Sequence, residues 1–328
     1  MKRTTIGDVA TAAGVSAATV SRVLNGGAVK EDTATRVWDA VARLDYTPNA
    51  LTKSIFAGRS NTIGVIIDDL RSPFYLDLMR GIDEVADANG SLVMFANTFH
   101  RSGHEVAQVQ TMDEQRVRGL VVTTGDSTDE RTRRMAAGGT PCVIVARPAP
   151  EDQANLHSVA LDNVAAGRLM AGHVLACGHR SVAVVVSGGR PSQRDRTDGL
   201  RRGLAESGVR LAADAVISID RDERADAAVA ALLARPEPVD VLVCLTGRRT
   251  VAVHSALIAR GLSIPDDIGF VTMDDFAWAP ALGITVVAQP SYRMGQKAAE
   301  LIIGNPGEPA RLTFRPELIA RRSCGERR

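Results

Sequence analysis

The sequence predicts an all-α head of the helix-turn-helix type followed by an α/β core of two lobes with parallel sheets. Three observations carry this. Residues 4–25, TTIGDVATAAGVSAATVSRVLN, read as two short helices joined by a tight turn. From residue 61 onward, short apolar runs alternate with amphipathic helical stretches, the pattern of parallel sheets covered on both faces. Two of these cycles also resemble each other, TIGVIID…MRGIDEVADANG and SVAVVVS…TDGLRRGLAESG, as an internal duplication would.

In the head, Thr5 stands where a cap is needed and Asp8 follows at capping-box spacing. Ile6, Val9, Ala10 and Ala13 then share one helical face. Gly14 stops the helix, because the residue after a helix often needs a positive φ. Ser16 caps the second helix, whose buried face is Val20, Val23 and Leu24. Its open face is Ala17, Ala18, Ser21, Arg22 and Asn25, with one long cation and no acid. Small side chains let a helix approach the floor of the DNA major groove. Arg22 can then fork onto a guanine edge while hydroxyls and amides hold phosphates. The competing reading is an ordinary helical hairpin with a bland face. A third helix over 28–45 closes the head, with Val37, Trp38, Val41 and Leu44 as its expected apolar stripe and Trp38 as core. Lys30 leaves its start weakly specified.

GVSAATVSRVLN, then YTPNALTKSIFAGRSNTIGVI at 46–66, RSPFY at 71–75, ALDN at 160–163, CGHRSVAVV at 177–185, IPDDIGFVTMDD at 264–275 and QPSYRMG at 289–295 resemble, in order and spacing, the LacI/GalR family of bacterial transcriptional regulators. That resemblance implies a periplasmic-binding-protein-like core, a homodimer, an operator of double-stranded DNA as partner and a small-molecule effector between the lobes. It implies Thr5, Ser16, Thr19, Ser21 and Asn25 as phosphate contacts, Arg22 as base reader, and Ala17 and Ala18 as close-approach positions. It also implies a hinge over 49–57, with Asn49, Ala50, Lys53 and Ile55 at the minor groove and Ile55 as the apolar wedge. Pro48 separates this stretch from the head, and so short a helix is unstable alone.

Boundaries follow: head 1–48, hinge and linker 49–60, core 61–328, with chain crossings between lobes expected near 161, 290 and 321. Strands are expected at 62–67, 91–96, 119–123, 142–146, 182–186, 216–219, 241–245 and 268–273. Helices are expected at 74–88, 104–116, 131–137, 164–176, 198–207, 225–234 and 250–260. Ligands of parallel-sheet folds bind at the C-terminal ends of strands. The resemblance nominates Asp69, Ser72, Phe74, Tyr75, Arg147, Arg194, Arg196, Arg221, Thr246, Gly247 and Asp274 for the effector. In sugar-responsive members the positions of Ala146 and Gly247 often hold aspartates and that of Arg221 an aromatic. Loss of those groups and gain of arginines suggests an anionic effector, such as a sugar acid or phosphorylated metabolite. A neutral sugar or nucleoside, a degenerate pocket, and ion pairing of the arginines with Asp69, Asp274 or Asp275 stay open.

Composition bounds the rest. The 328 residues are 45% hydrophobic with a net charge of +1. Residues 1–60 hold eight Lys/Arg and five Asp/Glu, a balance of +3, leaving −2 for the remainder. A modest excess of this kind suits a small DNA-binding module on a near-neutral sensor. The four cysteines, Cys142, Cys177, Cys244 and Cys324, are far apart and show no CxxC spacing. Reduced thiols of a cytoplasmic protein are the expectation, with disulfides or metal ligands as the alternative. His100 and His104 read as a polar loop rather than a metal pair, and His173 and His179 as structural. No cofactor, metal, catalytic motif, export signal or membrane span is expected. A solute-binding protein would share the two lobes but have no use for the first 60 residues.

Overall fold

The computed structural model describes residues 4–24, 26–46, 60–99, 101–123, 129–149 and 153–325. The expectations for Asn25, Asn49, Ala50, Lys53, Ile55 and His100 lie outside these residues. The chain divides into two compact units, 1–60 and 61–328.

The head contains α1 (Ile6–Ala13), α2 (Ala17–Leu24) and α3 (Glu31–Arg43). Thr5 and Asp8 form the reciprocal capping box, and Gly14 closes α1 at φ 64°. The Thr19 amide donates to Ser16 Oγ at 3.2 Å, which caps α2. Val9, Ala10, Ala13, Val20, Val23, Val37 and Ala40 make the core. Trp38 departs from expectation, with 51% of its surface exposed. The stripe of α3 runs instead through Val37, Ala40, Val41 and Leu44, and Trp38 lies about 100° round the helix from Val37. Lys30 gives α3 no side-chain cap.

The core begins with β1 (Thr62–Ile67), α4 (Pro73–Ala88), β2 (Leu92–Asn97), α5 (Ser102–Glu114), β3 (Gly119–Val122), α6 (Asp129–Ala137), β4 (Cys142–Val145) and β5 (Leu156–Leu161). The second lobe follows with α7 (Asn163–Ala176), β6 (Val182–Val186), α8 (Pro191–Ala205), β7 (Val216–Ser218), α9 (Ala225–Leu233), β8 (Val241–Cys244), α10 (Gly247–Ala259), β9 (Gly269–Met273), α11 (Ala279–Leu282) and β10 (Thr285–Ala288). The chain closes with α12 (Ser291–Gly304), β11 (Arg311–Phe314), β12 (Glu317–Ile319) and a short 3-10 turn (Arg322–Cys324).

Two six-stranded sheets result, β2-β1-β3-β4-β5-β11 and β7-β6-β8-β9-β10-β12. Their order is the same, as duplication requires. They differ at the last strand: β11 runs parallel to β5, while β12 runs antiparallel to β10. The chain passes between sheets after β5, after β10 and between β11 and β12. The third passage therefore lies at 315–316 rather than near 321, because β12 already pairs with Val286–Ala288 of the second sheet.

Each lobe brings one helix pair into close contact through glycines. A Cβ on Gly81 of α4 would sit 2.0 Å from Tyr292 O, and one on Gly295 of α12 would sit 2.1 Å from Leu78 O. In the second lobe, a Cβ on Gly167 of α7 would sit 2.0 Å from Arg196 O, and one on Gly199 of α8 would sit 2.2 Å from Val164 O. Gly81 and Gly199 occupy the same position in the two repeated sequence segments. Helix backbones this close leave no room for any side chain. No described helix is long and apolar enough to cross a membrane.

Candidate nucleic-acid interface and ligand cleft

On α2, Ala17, Ala18 and Arg22 are exposed, and Thr19 and Ser21 are half-buried beside them. Ser16 and Thr5 are exposed, Thr5 with its hydroxyl donating to Asp8 Oδ2 at 2.7 Å. Among the described residues no hydrogen-bond or ion-pair partner meets the Arg22 guanidinium. Its stem is held from behind. The Gly27 amide donates to Arg22 O at 2.8 Å, and a Cβ on Gly27 would meet Arg22 Cγ at 2.6 Å. Among the described residues, α2 thus presents the unpaired Arg22 cation among small side chains.

In the core, the loops after the strands of both lobes enclose a cavity of about 110 Å³. Asp69, Ser72, Phe74, Tyr75, Arg147, Arg196, Thr246 and Asp274 line it, as nominated. Arg194 and Arg221 are exposed and take no part. The reason is that α8 starts at Pro191, so Gln193, Arg196 and Thr197 turn inward while Arg194 turns out. Gly247 lines an outer groove rather than the cavity. Arg190, Gln193, Arg248 and Gln289 line the cavity without having been nominated.

Acids of one lobe bind arginines of the other. Asp69 accepts from Arg248 Nε at 2.6 Å and from Arg71 Nε and Nη2 at 2.9 and 2.8 Å. Burial alone would raise the Asp69 carboxyl, but the Arg71 and Arg248 hydrogen bonds hold it well below the usual carboxylate range. Asp68 pairs with Arg190 across the cleft and accepts from Tyr75 Oη at 3.2 Å and Thr98 Oγ1 at 3.3 Å. Arg248 also forks onto Asp222 at 3.0 and 2.9 Å, and Arg249 joins it at 2.7 Å. Within lobe 1, Arg147 pairs with Asp129. The ion-pair alternative is therefore realised at Asp69, whereas Asp275 pairs with Arg321 of its own lobe.

Arg196 stands apart. It is 6% exposed, and its guanidinium donates to Asn163 Oδ1 at 2.8 Å, Leu245 O at 3.0 Å and Gln289 Oε1 at 3.3 Å. All three acceptors are neutral. Burial pushes its pKa down from the ordinary arginine value. Asp274 sits nearby at φ 67° and accepts from Gln289 Nε2 at 2.6 Å. Burial pushes its carboxyl up, against the pull of Arg196. The glycine at 247 now has a reason: a Cβ there would lie 2.4 Å from Asp274 Oδ2.

Lobe 1 also shows an apolar edge. β2 ends its sheet, and Leu92, Met94, Phe95 and Phe99 on or just beyond it are exposed, with Leu76 of α4 exposed as well.

A helix-turn-helix head joined to a two-lobed, ligand-cleft core defines a DNA-binding regulator with a small-molecule sensor. Residues 5–49 match the bacterial regulatory proteins of the lacI family, and residues 60–316 match the periplasmic binding proteins and sugar binding domain of LacI family. The chain belongs to the LacI family. It is 30% identical to the HTH-type transcriptional regulator DegA of Bacillus subtilis (strain 168), over 98% of both chains. The structure of the transcriptional regulator CelR–cellobiose complex is 27% identical, covers 98% of this chain and 100% of its own, and superposes with a TM-score of 0.71. The lac repressor dimer bound to operator and an anti-inducer shares the fold, at 21% identity over 99% of this chain and 100% of its own, with a TM-score of 0.81.

Proposed function

We propose that this protein is a homodimeric repressor that reads a near-palindromic operator and releases or grips it according to a small anionic effector in the inter-lobe cleft. Each α2 would enter a major groove, with Arg22 reading a base edge and Thr5, Ser16, Thr19 and Ser21 on phosphates. The exposed apolar edge of β2 favours self-association, since an unpaired edge rich in large apolar side chains invites a second copy. Regulation rather than catalysis fits a cleft whose acids and bases are committed to one another.

Arg196 is the observation that carries the anionic reading. The cavity lining holds Arg147, Arg190, Arg196 and Arg248 against Asp69 and Asp274. Most of these arginines already meet a carboxylate. Arg196 meets neutral oxygens only, so a carboxylate or phosphate at the floor of the cleft would supply its counter-charge. A neutral sugar is the second reading, favoured by the cellobiose held by CelR and by the lining carboxylates, which accept hydrogen bonds from hydroxyls.

Linkage fixes what the effector must do. It shifts operator affinity only in so far as it binds open and closed lobes unequally. The bridges Asp69–Arg248 and Asp68–Arg190 belong to the closed arrangement, so an anion that recruits Arg190 or Arg248 would compete with them.

The test is selection of sheared genomic DNA by the purified protein, with and without a metabolite extract. A few sharp near-palindromic sites, altered by the extract, are expected. Arg22→Ala should lower affinity for those sites by about 1–3 kcal/mol and relax base preference. Equal weakening on specific and random DNA would reduce Arg22 to a phosphate contact, and diffuse binding under all conditions would sink the reading.

A further inference from the structure

Far from the cleft, the C-terminal end of α7 meets the closing turn of the chain. His173 and Cys177 stand one helical turn apart on α7, so their side chains fall on one face. Cys177 Sγ lies 3.7 Å from a His173 ring nitrogen. Cys324 arrives from the closing turn, and one ligand atom from each of the three residues lies within 4.8 Å of the other two. No disulfide joins any of the four cysteines.

The third side chain is held in place by its surroundings. Cys324 O is 2.7 Å from His179 Nε2, and its neighbour Ser323 accepts from the Thr285 amide at 2.8 Å and pairs with Phe270 O. Gly269 leaves the space for this contact: a Cβ there would lie 2.8 Å from His179 Nε2 and 2.9 Å from Cys324 O. The cluster therefore sits at the beginning of β9, while Asp274 and the cleft follow its end. The five residues of β9 span about 16 Å.

The geometry points to a metal site at His173, Cys177 and Cys324 that takes one thiophilic d10 cation of the Zn2+ class. Two sulfurs and one imidazole nitrogen are soft to borderline donors, the set that selects such cations over Mg2+ or Ca2+. Ligand atoms around tetrahedral Zn2+ lie about 3.3–3.8 Å apart, given metal–ligand lengths of about 2.0–2.3 Å. The His173–Cys177 separation already falls in this range. The remaining separations, all within 4.8 Å, exceed this range by no more than about 1 Å. His173 and Cys177 are half-buried and Cys324 is buried, so a fourth, outward position is open to water. The bound ion would tie α7 to the chain's closing turn at the base of lobe 2. This assignment is independent of the effector and of DNA binding.

The experiment is titration of the full-length, reduced, metal-stripped protein with Zn2+ against a chromophoric chelator, with Co2+ as a spectroscopic probe. One equivalent bound, with tetrahedral Co2+ absorption and thiolate charge transfer, is the expected result. Cys177→Ser, Cys324→Ser and His173→Gln should each weaken binding by more than about tenfold. Cys142→Ser and Cys244→Ser should not. Should Cys324→Ser fail to fold, the other two variants decide the matter, since their side chains are half-buried. No uptake by the reduced protein, or uptake indifferent to these substitutions, overturns the assignment. Formation of a Cys177–Cys324 disulfide under mild oxidation, with no metal uptake by the reduced protein, overturns it as well.

Discussion

The loop after the first strand of lobe 1 carries Asp68 and Asp69, whereas the corresponding loop of lobe 2 carries Ser187 and Arg190. The sheets that present these loops have the same strand order, and their helix pairs cross on glycines at the same depth. The fourth strand of each lobe ends in a residue at positive φ, Ala146 at 70° and Asp274 at 67°. Backbone strain of this kind clusters at ligand sites. The scaffold has been kept while the charge has diverged. Acid on one lobe now binds guanidinium on the other, through Asp68–Arg190 and Asp69–Arg248. A duplicated fold with unlike loops gains a cleft that closes on itself. The lobes differ at their edges too, where β2 exposes large apolar side chains and β7 is only three residues long.

The shared part of this comparison is broken most severely at the glycines. Gly81→Val and Gly199→Val should each destabilise the core by about 3 kcal/mol or more, because the added atoms meet backbone that cannot rotate away. Chemical denaturation of both variants checks this. A large loss in one lobe and none in the other would contradict equivalent helix crossings.

The divergent part is broken at Asp69. Asp69→Asn leaves Arg248 with Asp222 alone and removes the carboxylate that Arg71 and Arg248 share. A loss of about 2 kcal/mol is expected, below the range for a fully buried pair because Arg71 is largely exposed. Small-angle scattering should show the lobes further apart. Arg147→Gln, which breaks a pair within lobe 1, should leave the lobe separation unchanged.

Smaller effects come with pH. Burial holds His157 in lobe 1 and His254 in lobe 2 below the ordinary histidine pKa. The unfolded chain then binds more protons than the native one, so stability falls as pH drops from about 6.5 toward their native values. Asp69 and Asp222 are depressed carboxylates. Their contribution is complete above about pH 4 and is lost only as pH falls below that. Thermal denaturation between pH 8 and 5 should therefore show the histidine loss with the cleft bridges intact. His254→Phe, which keeps the stacking on Phe270 and Trp278, should flatten the histidine part of that slope.

The duplication was legible because β1, β3, β6 and β8 are near-continuous apolar runs, which only buried parallel strands tolerate. β5 was not, because His157 and Ser158 interrupt its run although both are buried. The early start of α8 was hidden in the polar stretch PSQRDRTD. It reads as a loop, yet Gln193 and Arg196 turn inward and are hydrogen-bonded there. Only a helix that starts at Pro191 gives Arg190 and Gln193 a place on the cleft and separates the inward Arg196 from the outward Arg194. The cross-cleft partners of Asp68 and Asp69, Arg190 and Arg248, lie over a hundred residues away, where no local spacing points to them. Nothing in the local sequence explains Gly247. Its physical reason, the Asp274 carboxylate packed against it, exists only in three dimensions. The cluster of His173, Cys177 and Cys324 was invisible for the same cause.

Of the buried guanidiniums of lobe 2, Arg249 is paired with Asp222, while Arg196 donates only to neutral oxygens; on the proposed reading an effector anion, and not the opposite lobe, pairs with it. Calorimetric titration of the wild-type protein and Arg196→Gln against neutral sugars and their acid and phosphate forms tests it most directly. An acid or phosphate form should bind, its neutral parent should bind at least about tenfold more weakly, and Arg196→Gln should remove the preference. Tight binding of a neutral sugar alone, lost on Asp69→Asn and kept in Arg196→Gln, would contradict it.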